Sequence, residues 1–326
     1  NLGGFTFSGP VQHYFGNGAF QLAAGDLDGD DDIDFAVVSF SQDTVTVVMD
    51  PRPEFASQET DYDVGVVPRS VAIGDLNGDG FPDLAIANQG EIVNSIPGSV
   101  TLLFNDGEGL FGDRVDYDAG VGPWHVAIGD LDGDGDNDLA VVNVNGQDLS
   151  VFLNQGNGVL GEPARHSAGS APRHVSIADL DGDGFPDLSV SNVSGDNVSV
   201  LLNRGDGTFA SDGVNPVGGT PWTVALGHLD GDENTDLVAA NFADGNLSIL
   251  LGNGDGSFDP NGVYAAGNGV LSVAVGDFDG DGKSDLAAVN FFDGTTVTLR
   301  NQGDGTFQPD AVLQVGMGPW SIRVAD

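Results

Sequence analysis

Aspartate residues recur in this chain at a spacing that suits a metal-binding loop. The first copy is a nine-residue motif, Asp26–Asp34, with aspartate at its first, third, fifth and ninth positions. Carboxylates this close repel one another strongly unless a cation lies among them. Glycine at the fourth position permits backbone angles that a β-carbon would oppose. The motif therefore predicts a tight turn whose carboxylates converge on a metal ion.

The ligand types favour Ca²⁺ over other ions. The chain has no Cys and only five His, so it has few of the thiolate and imidazole ligands that zinc and copper sites use. Hard oxygen ligands suit Ca²⁺, whereas Mg²⁺ prefers to keep its waters. The seventh position varies among Asp, Asn, Phe and Lys, so it must supply its backbone carbonyl. We predict side-chain ligands at positions one, three, five and nine, a carbonyl at position seven, and water.

The motif occurs six times, and two copies depart from its ligand pattern. Asn77 is neutral where other copies have Asp, and His228 replaces the first Asp of the fifth copy. We therefore predict five or six Ca²⁺ ions, with the fifth loop weakest. The predicted ligands of the first three loops are Asp26, Asp28, Asp30, Asp32 and Asp34; Asp75, Asn77, Asp79, Phe81 and Asp83; and Asp130, Asp132, Asp134, Asp136 and Asp138. Those of the last three are Asp179, Asp181, Asp183, Phe185 and Asp187; Asp230, Asp232, Asn234 and Asp236; and Asp277, Asp279, Asp281, Lys283 and Asp285.

Two other interpretations of the motif fit its residues less well. An EF-hand needs a glutamate at position twelve and flanking helices, but Val37 and Val141 occupy that position and strand-like runs follow. Solvated acidic turns without an ion would not require six copies in register. If ions bind, a purely structural role is the stronger expectation, because an ion bound only by the folded state stabilises it.

The motifs belong to a repeat of about fifty residues. Their first positions are separated by 49, 55, 49, 49 and 49 residues, and the longer interval coincides with a lengthened loop near Glu91–Pro97. A short apolar run precedes each motif (strand A), as at Val71–Gly74, and another follows it (strand B), as at Asp83–Asn88. Strand C, a Gly-rich hairpin and strand D complete the unit. Four short strands per unit predict a blade of a β-propeller.

Seven strand A runs predict a seven-bladed, all-β propeller spanning residues 1–326 as one domain, with its last blade incomplete. The turn Asn301–Phe307 resembles Asn1–Phe7, so residues 1–19 are expected to supply an outer strand of the closing blade. The final run, Trp320–Asp326, would supply that blade's strand A. Its missing strands are expected from further chain or from a neighbouring copy, because an open edge invites aggregation.

Composition excludes two classes of partner. The 326 residues include 9 Lys+Arg and 50 Asp+Glu, which gives a net charge of −41. Such a polyanion would repel a phosphate backbone, so nucleic-acid binding is excluded. No apolar run is long enough to span a membrane as a helix. The absence of Cys excludes disulfides and thiol chemistry.

The loops and the strands before them, such as Gly122–Val126 and Val67–Val71, resemble FG-GAP/VCBS repeats. The resemblance covers essentially the whole chain. It implies a seven-bladed propeller like that of integrin α-subunit heads, with Ca²⁺ in the A–B loops of one face. It also implies ligand binding mostly on the opposite face. Integrin-type ligand contacts are not carried over, because no local motif matches them.

A second set of residues lies six positions before each motif. By repeat symmetry these residues form a ring away from the metal loops, and they include all three Trp of the protein. Trp and Arg are favoured binding anchors, and Trp stacks on sugar faces. Packing between blades is the competing and stronger interpretation. The candidate ligand-binding residues are Phe20, Arg69, Trp124, Arg173, Trp222 and Trp320, with Leu271 at the sixth position of the set.

These features lead to an expected function. We expect a secreted or cell-surface adhesion or recognition module that binds a protein or a glycan. Alternatives are a non-catalytic domain of a larger secreted polysaccharide-active enzyme, and a subunit of an extracellular assembly. No nucleophile motif or His–Cys pair is present, so the expectation is that the chain is not an enzyme.

Overall fold

The computed structural model describes residues 18–49, 58–91 and 96–324. All regular elements among them are β-strands, which pair antiparallel in four-stranded sheets. No helix in this part of the chain has the length and apolarity needed to cross a membrane. The outer strand predicted from residues 1–19 falls almost wholly outside the described residues.

The chain divides into two compact units, each of which holds three sheets. The first unit contains the described part of Pro10–Pro172 and the turn Gly205–Thr208. Each sheet is a meander of strands A, B, C and D in chain order. The strands of the first unit are β1 (Ala19–Gly25), β2 (Asp34–Ser39), β3 (Thr44–Met49) and β4 (Gln58–Asp63); β5 (Pro68–Gly74), β6 (Asp83–Asn88), β7 (Gly98–Leu103) and β8 (Val115–Gly120); and β9 (Pro123–Gly129), β10 (Asp138–Asn143), β11 (Asp148–Phe152) and β12 (Ala164–Ser167).

The second unit contains Arg173–Arg204 and Phe209–Val324. Its three sheets repeat the same A–B–C–D meander. Their strands are β13 (Pro172–Ala178), β14 (Asp187–Asn192), β15 (Asn197–Asn203) and β16 (Phe209–Pro216); β17 (Pro221–Gly227), β18 (Asp236–Asn241), β19 (Asn246–Gly252) and β20 (Phe258–Ala265); and β21 (Val270–Gly276), β22 (Asp285–Asn290), β23 (Thr295–Asn301) and β24 (Phe307–Gln314).

Each sheet has the four-stranded meander of a propeller blade, and the fold is of the all-β propeller type. The prediction of seven blades is wrong, because the described residues form six sheets. The run predicted as a seventh strand A is not a strand over residues 320–324. A strand needs a neighbour to satisfy its backbone donors and acceptors. No strand B or C of a seventh sheet exists among the described residues to pair with this run.

Burial explains the strand order within each blade. Strand B is buried along its whole length, as in β6 and β10, and carries small or β-branched residues. Strand D is mostly exposed, as in β4 and β20, and carries many polar residues. The cores form between successive blades of one unit: Leu27 and Val38 of the first blade pack with Ile86 of the second. Each blade therefore depends on its neighbour for a complete core.

The lengthened loop of the second blade is present. Glu91 and Ile96 form an isolated antiparallel bridge, with backbone N–H···O distances of 3.0 and 2.9 Å. This bridge lies between β6 and β7, and residues 92–95 lie outside the described residues. Strand B of the second blade spans Asp83–Asn88 as predicted, whereas its strand A begins at Pro68, three residues before the predicted start at Val71.

Candidate metal centre

Each aspartate loop joins strand A to strand B of one blade. In the first loop Leu27, at position two, is fully buried, and Asp34, at position nine, is 1% exposed and begins β2. The apolar residue anchors one end of the loop in the core, and the strand holds the other end. The short motif therefore adopts one conformation, in which its carboxylates lie at the end of the blade.

The position-nine aspartate is held by two backbone donors. The Asp138 Oδ2 atom accepts a hydrogen bond from the Leu131 N–H at 2.7 Å, and its Oδ1 atom accepts one from the Asn154 N–H at 2.7 Å. The equivalent aspartates Asp83 and Asp187 make the same pair of bonds. Both oxygens are therefore oriented before any ion binds.

The position-one aspartate closes the turn. The Asp130 Oδ1 atom accepts the Gly133 N–H at 2.8 Å, and its Oδ2 atom accepts the Gly135 N–H at 3.1 Å. Both glycines have positive φ, +78° and +94°, which a side chain would oppose. In the first loop Asp31 occupies the sixth position and still adopts φ +66°. The loop conformation is thus kept where glycine is missing, at some cost in backbone strain.

Five loops bring three carboxylates together. In each, one ligand atom from every member lies within 4.8 Å of the others. The second loop has aspartate at positions one and nine but Asn77 at position three, so it brings together only two carboxylates from these positions. The clusters are Asp26, Asp28 and Asp34; Asp130, Asp132 and Asp138; Asp179, Asp181 and Asp187; Asp230, Asp232 and Asp236; and Asp277, Asp279 and Asp285.

Crowding and burial raise the pKa of the ninth aspartate. Burial is the largest cause and raises the pKa of Asp138 to about 6, with further increases from Asp132 and Asp134. The backbone donors act in the opposite direction. The pKa values of Asp83 and Asp187 also rise to about 6 for the same reason. A cation among these groups would favour their charged forms and remove the repulsion.

The donor set fits Ca²⁺. The atoms that converge are carboxylate oxygens, which are hard ligands, and no sulfur or imidazole joins them in the five clusters. The residues that would hold the ion are the first, third and ninth aspartates in four loops, and the third, fifth and ninth, Asp230, Asp232 and Asp236, in the fifth loop. In the other loops the fifth-position aspartate stays a prediction, as does the seventh-position carbonyl in all six. A bound ion would neutralise the cluster and cross-link strands A and B.

Position five has a structural role in all six loops. Its Oδ1 atom accepts the backbone N–H of position seven, for example Asp134 to Asp136 at 2.9 Å and Asp281 to Lys283 at 3.0 Å. This bond turns the backbone of the seventh residue. It therefore helps to fix the direction of the carbonyl that we predict as a ligand.

The fifth loop differs from the others. The His228 Nδ1 atom lies 2.8 Å from the Asn234 carbonyl oxygen, the predicted position-seven ligand. Glu233, at the sixth position, does not adopt the positive φ found for the sixth-position residues of the other loops. A hydrogen bond thus occupies the carbonyl that an ion would use. This geometry is consistent with the predicted weakness of this loop.

The sixth loop carries its own cations. The Arg300 guanidinium lies 2.8 Å from Asp279, and the Lys283 ammonium lies 2.9 Å from Asp281. The hydrogen bond from Lys283 holds the pKa of Asp281 below its usual range. Two ligands of this loop are therefore partly neutralised by the chain itself, which the loop sequence alone did not reveal.

Sequence reasoning also missed a set of asparagines that support the loops. The Asn154 side-chain amide donates to the Leu76 carbonyl at 2.7 Å, in the loop of the preceding blade. Asn105 makes the same bond to the Leu27 carbonyl, also at 2.7 Å. Asparagine recurs at this position in four of the six blades, as Asn105, Asn154, Asn203 and Asn301, which is a sequence signal for the role. These bonds connect the metal loop of one blade to the next blade within a unit.

The candidate ligand-binding residues lie at the opposite end of the blades. In β17 and β18, Gly227 pairs with Asp236 beside the loop, while Pro221 pairs with Asn241 at the other end. Trp222 is thus remote from the loop of its own blade. In the first unit Phe20, Arg69 and Trp124 contact one another; in the second, Trp222 contacts both Arg173 and Trp320. The structure brings the predicted residues together in two groups, one within each unit.

Solved structures of the same fold have very different sequences. A functionally unknown protein from Desulfotomaculum acetoxidans DSM 771 is 12% identical, with a TM-score of 0.66 and coverage of 93% of this chain and 89% of that one. A putative 6-phosphogluconolactonase from Bacteroides fragilis NCTC 9343 is 14% identical, with a TM-score of 0.63 and coverage of 93% and 82%. The periplasmic gluconolactonase of Pseudomonas aeruginosa is 13% identical, with a TM-score of 0.60 and coverage of 93% and 96%.

These similarities correct one expectation. The chain was expected not to be an enzyme, but two of the proteins that share its fold bear the names of lactonases. The fold is therefore one that also carries catalytic function, and the lack of a familiar nucleophile motif is no ground for excluding catalysis. At these identities the likeness shows the fold alone and identifies no catalytic residue here.

The sequence comparisons identify the repeat. No curated protein matches the chain. The FG-GAP-like repeat matches five overlapping segments, 75–141, 130–190, 179–239, 228–288 and 277–326, which together cover more than half of the chain and contain five of the six aspartate loops. By this match and by its repeated A–B loops, the chain belongs to the FG-GAP-like repeat family.

Proposed function

We propose that this protein is a calcium-binding recognition module that acts outside the cell or at its surface. One observation carries the calcium assignment: five loops each bring three carboxylates within 4.8 Å of one another. Like charges at that separation destabilise the fold unless they are neutralised. A divalent ion in each loop removes this repulsion and bridges strands A and B.

Calcium binding is tested by direct titration. The chain is stripped with EDTA, dialysed, and titrated with CaCl₂ in a calorimeter, with MgCl₂ as a comparison. We expect four or more Ca²⁺ ions per chain, weaker binding of Mg²⁺, and a higher melting temperature with Ca²⁺. Each site with the ion at a hundred times its Kd adds about 2.7 kcal/mol to the unfolding free energy. Absence of Ca²⁺ uptake would contradict the proposal.

The same chemistry supports the proposed extracellular placement. Exposed sites of this type suit Ca²⁺ at the 10⁻⁴–10⁻³ M level of extracellular modules. The net charge of −41 would also be better screened in a saline medium. Immunolabelling of intact cells, with and without permeabilisation, tests this placement; signal that appears only after permeabilisation would contradict it.

Recognition is assigned to the blade ends opposite the loops, where Arg, Trp and Phe side chains cluster within each unit. Aromatic residues and Arg supply much of the binding free energy at protein surfaces. The ligand would be a protein or a glycan, and calcium would act by holding the blades in place. A glycan array and a peptide array, each probed with Ca²⁺ and with EDTA, test the role. No binding on either array in Ca²⁺ would count against it.

A further inference from the structure

The first unit holds an arginine inside a frame of aromatic rings. The Arg69 guanidinium carbon lies 5.1 Å from the Phe20 ring centre, 5.3 Å from that of Phe40 and 4.6 Å from that of Trp124. The Gln89 Oε1 atom accepts two hydrogen bonds from the same side chain, at 2.9 and 2.8 Å. Burial lowers the pKa of Arg69, because the guanidinium loses water contacts. The surrounding rings and the Gln89 amide replace part of the stabilisation that water would give the charged group.

The second unit repeats the frame of rings with a different cation contact, because Leu271 replaces Arg69 and the Arg173 guanidinium lies 4.5 Å from the Trp222 ring. Trp222, Phe242 and Trp320 occupy the repeat positions of Phe20, Phe40 and Trp124, as the spacings in the sequence require. The ring centres of Trp222 and Phe242 are 5.6 Å apart, and those of Trp222 and Trp320 are 6.2 Å apart. The corresponding distances in the first unit are 6.1 and 5.8 Å. The two frames therefore have the same ring contacts.

The residue at the arginine position is different. Leu271 stands where the first unit has Arg69, and it is 1% exposed. Phe291 stands where the first unit has Gln89, and Phe292 where it has Gly90. A hydrogen-bonded polar pair has thus been replaced by apolar residues, and a further aromatic ring has been added.

The added rings extend the frame into a continuous surface. Phe292 lies 5.4 Å from Phe242 and 5.3 Å from Phe291, and Phe291 lies 5.2 Å from Trp320. Phe292 is 68% exposed. We call this set the second-unit aromatic cluster; its members are Trp222, Phe242, Phe291, Phe292 and Trp320.

Acidic side chains flank the cluster. Asp244 and Asp293 each lie in the turn that follows one of its phenylalanines, and both are exposed. The Asp293 carboxylate accepts the Asn268 N–H and amide at 2.8 Å, and these bonds hold its pKa below the usual range. The carboxylate is therefore ionised at neutral pH. Phe292 is exposed and the other four rings are half-buried. Aromatic rings beside carboxylates attract an organic cation more than a neutral or anionic group.

We propose that the second-unit aromatic cluster binds arginine side chains of a basic segment in a partner protein. The chain itself places a guanidinium over an aromatic ring in both units. The Arg173 guanidinium carbon lies 4.5 Å from the Trp222 ring centre, and that of Arg69 lies 4.6 Å from the Trp124 ring centre. A net charge of −41 would draw a basic partner to this surface. The proposal rests on the recognition role above and names its ligand, and it does not depend on the number of ions bound.

The test uses the full chain with saturating Ca²⁺. A short peptide with three arginines is titrated at low salt by calorimetry and by tryptophan fluorescence. A second peptide, with citrulline at each arginine, keeps the planar shape and part of the N–H donors but removes the charge. We expect the arginine peptide to bind at least tenfold more tightly than the citrulline peptide, with affinity that falls as salt is added.

Two variants locate the site. Phe292→Ala removes an exposed ring, so the fold should survive, and we expect at least a fivefold loss of arginine-peptide affinity. Val214→Ala is the control, because Val214 is an apolar residue of the same unit that is 60% exposed and lies in the outer strand β16 of another blade, outside the aspartate loops and the aromatic cluster. It should bind the peptide as the unaltered chain does. Both variants should keep the Ca²⁺ stoichiometry.

The outcomes separate this inference from the calcium assignment. Equal affinity for both peptides, or unchanged binding in Phe292→Ala, would overturn the arginine site while Ca²⁺ uptake remains intact. Binding of a neutral oligosaccharide that is lost in Phe292→Ala, with no binding of the arginine peptide, would replace the proposed partner by a glycan. Loss of Ca²⁺ uptake with arginine binding retained would overturn only the calcium assignment.

Discussion

The Arg300 guanidinium lies 2.8 Å from the carboxylate of Asp279, a third-position residue that an ion in the sixth loop would need. At the corresponding position the other blades have apolar residues: Met49, Phe104, Leu153, Leu202 and Leu251. The Asp279 side chain is only 4% exposed, so the ion pair is shielded from water on that side. The sixth loop therefore carries a competitor for Ca²⁺ that the others lack.

Replacing this arginine should strengthen the sixth site. In Arg300→Leu, Asp279 loses its pairing cation, and the affinity of the loop for Ca²⁺ should rise about fivefold, which corresponds to about 1 kcal/mol. Calorimetric titration should show one more Ca²⁺ ion per chain among the ions that bind most tightly. Arg165→Leu is the control, because Arg165 pairs with Asp148 in β11 rather than with a loop residue. If Arg300→Leu binds no more Ca²⁺ ions tightly than the unaltered chain, Arg300 does not compete with Ca²⁺ for Asp279.

The fifth loop should gain a site when its first ligand is restored. His228→Asp supplies the missing carboxylate and removes the ring nitrogen that lies 2.8 Å from the Asn234 carbonyl. We expect one additional Ca²⁺ per chain and a higher melting temperature in Ca²⁺. The reciprocal change, Asp179→His, should remove one ion. If His228→Asp binds no more Ca²⁺ than the unaltered chain, the assignment of ligands at position one is wrong.

Position nine should matter with and without calcium. In Asp138→Asn, an amide group must face one of the backbone N–H donors of Leu131 and Asn154, which leaves a buried donor unsatisfied. The unfolding free energy without Ca²⁺ should fall by about 1–3 kcal/mol, and one ion should be lost. Asp136→Asn is the control, since position seven is predicted to use its carbonyl. A loss of ion binding in Asp136→Asn would show that its side chain is the ligand.

The metal-free chain should become less stable as pH rises. The pKa values of Asp83, Asp138 and Asp187 are about 6 in the folded state against 3.8 ordinarily. Between these values the folded chain binds more protons than the unfolded chain, so its unfolding free energy decreases with increasing pH. Melting temperatures in EDTA should fall from about pH 4.5 to about pH 7.

Calcium should reverse this dependence. The ion requires deprotonated carboxylates and competes with protons for them, so melting temperatures in saturating Ca²⁺ should rise over the same pH interval. The comparison needs only the two buffers and the same chain. A melting temperature in EDTA that rises with pH would mean that the ninth-position aspartates are not the groups that control stability.

The local pattern was largely sufficient for the loops and strands. The spacing of aspartate and glycine within the nine-residue motif identified the carboxylates that converge, because a tight turn brings nearby residues together whatever the rest of the fold does. The run Asp83–Asn88 was predicted as a strand with its observed bounds, because a strand buried on both faces is apolar along its length. The number of blades was predicted wrongly, because a strand forms only when partners are available to pair with it.

The amino-acid sequence alone therefore determined the repeat, the four-strand unit and the aspartates that could hold an ion. Only the tertiary structure decided which distant residues support or oppose those sites. The Asn105 amide reaches the Leu27 carbonyl across 78 positions of sequence, and Arg69 enters a frame built by two other blades. Such contacts depend on how neighbouring blades pack within a unit, and no local spacing encodes that packing. The same packing leaves Phe292 of the second-unit aromatic cluster 68% exposed, at the position where the first unit has Gly90.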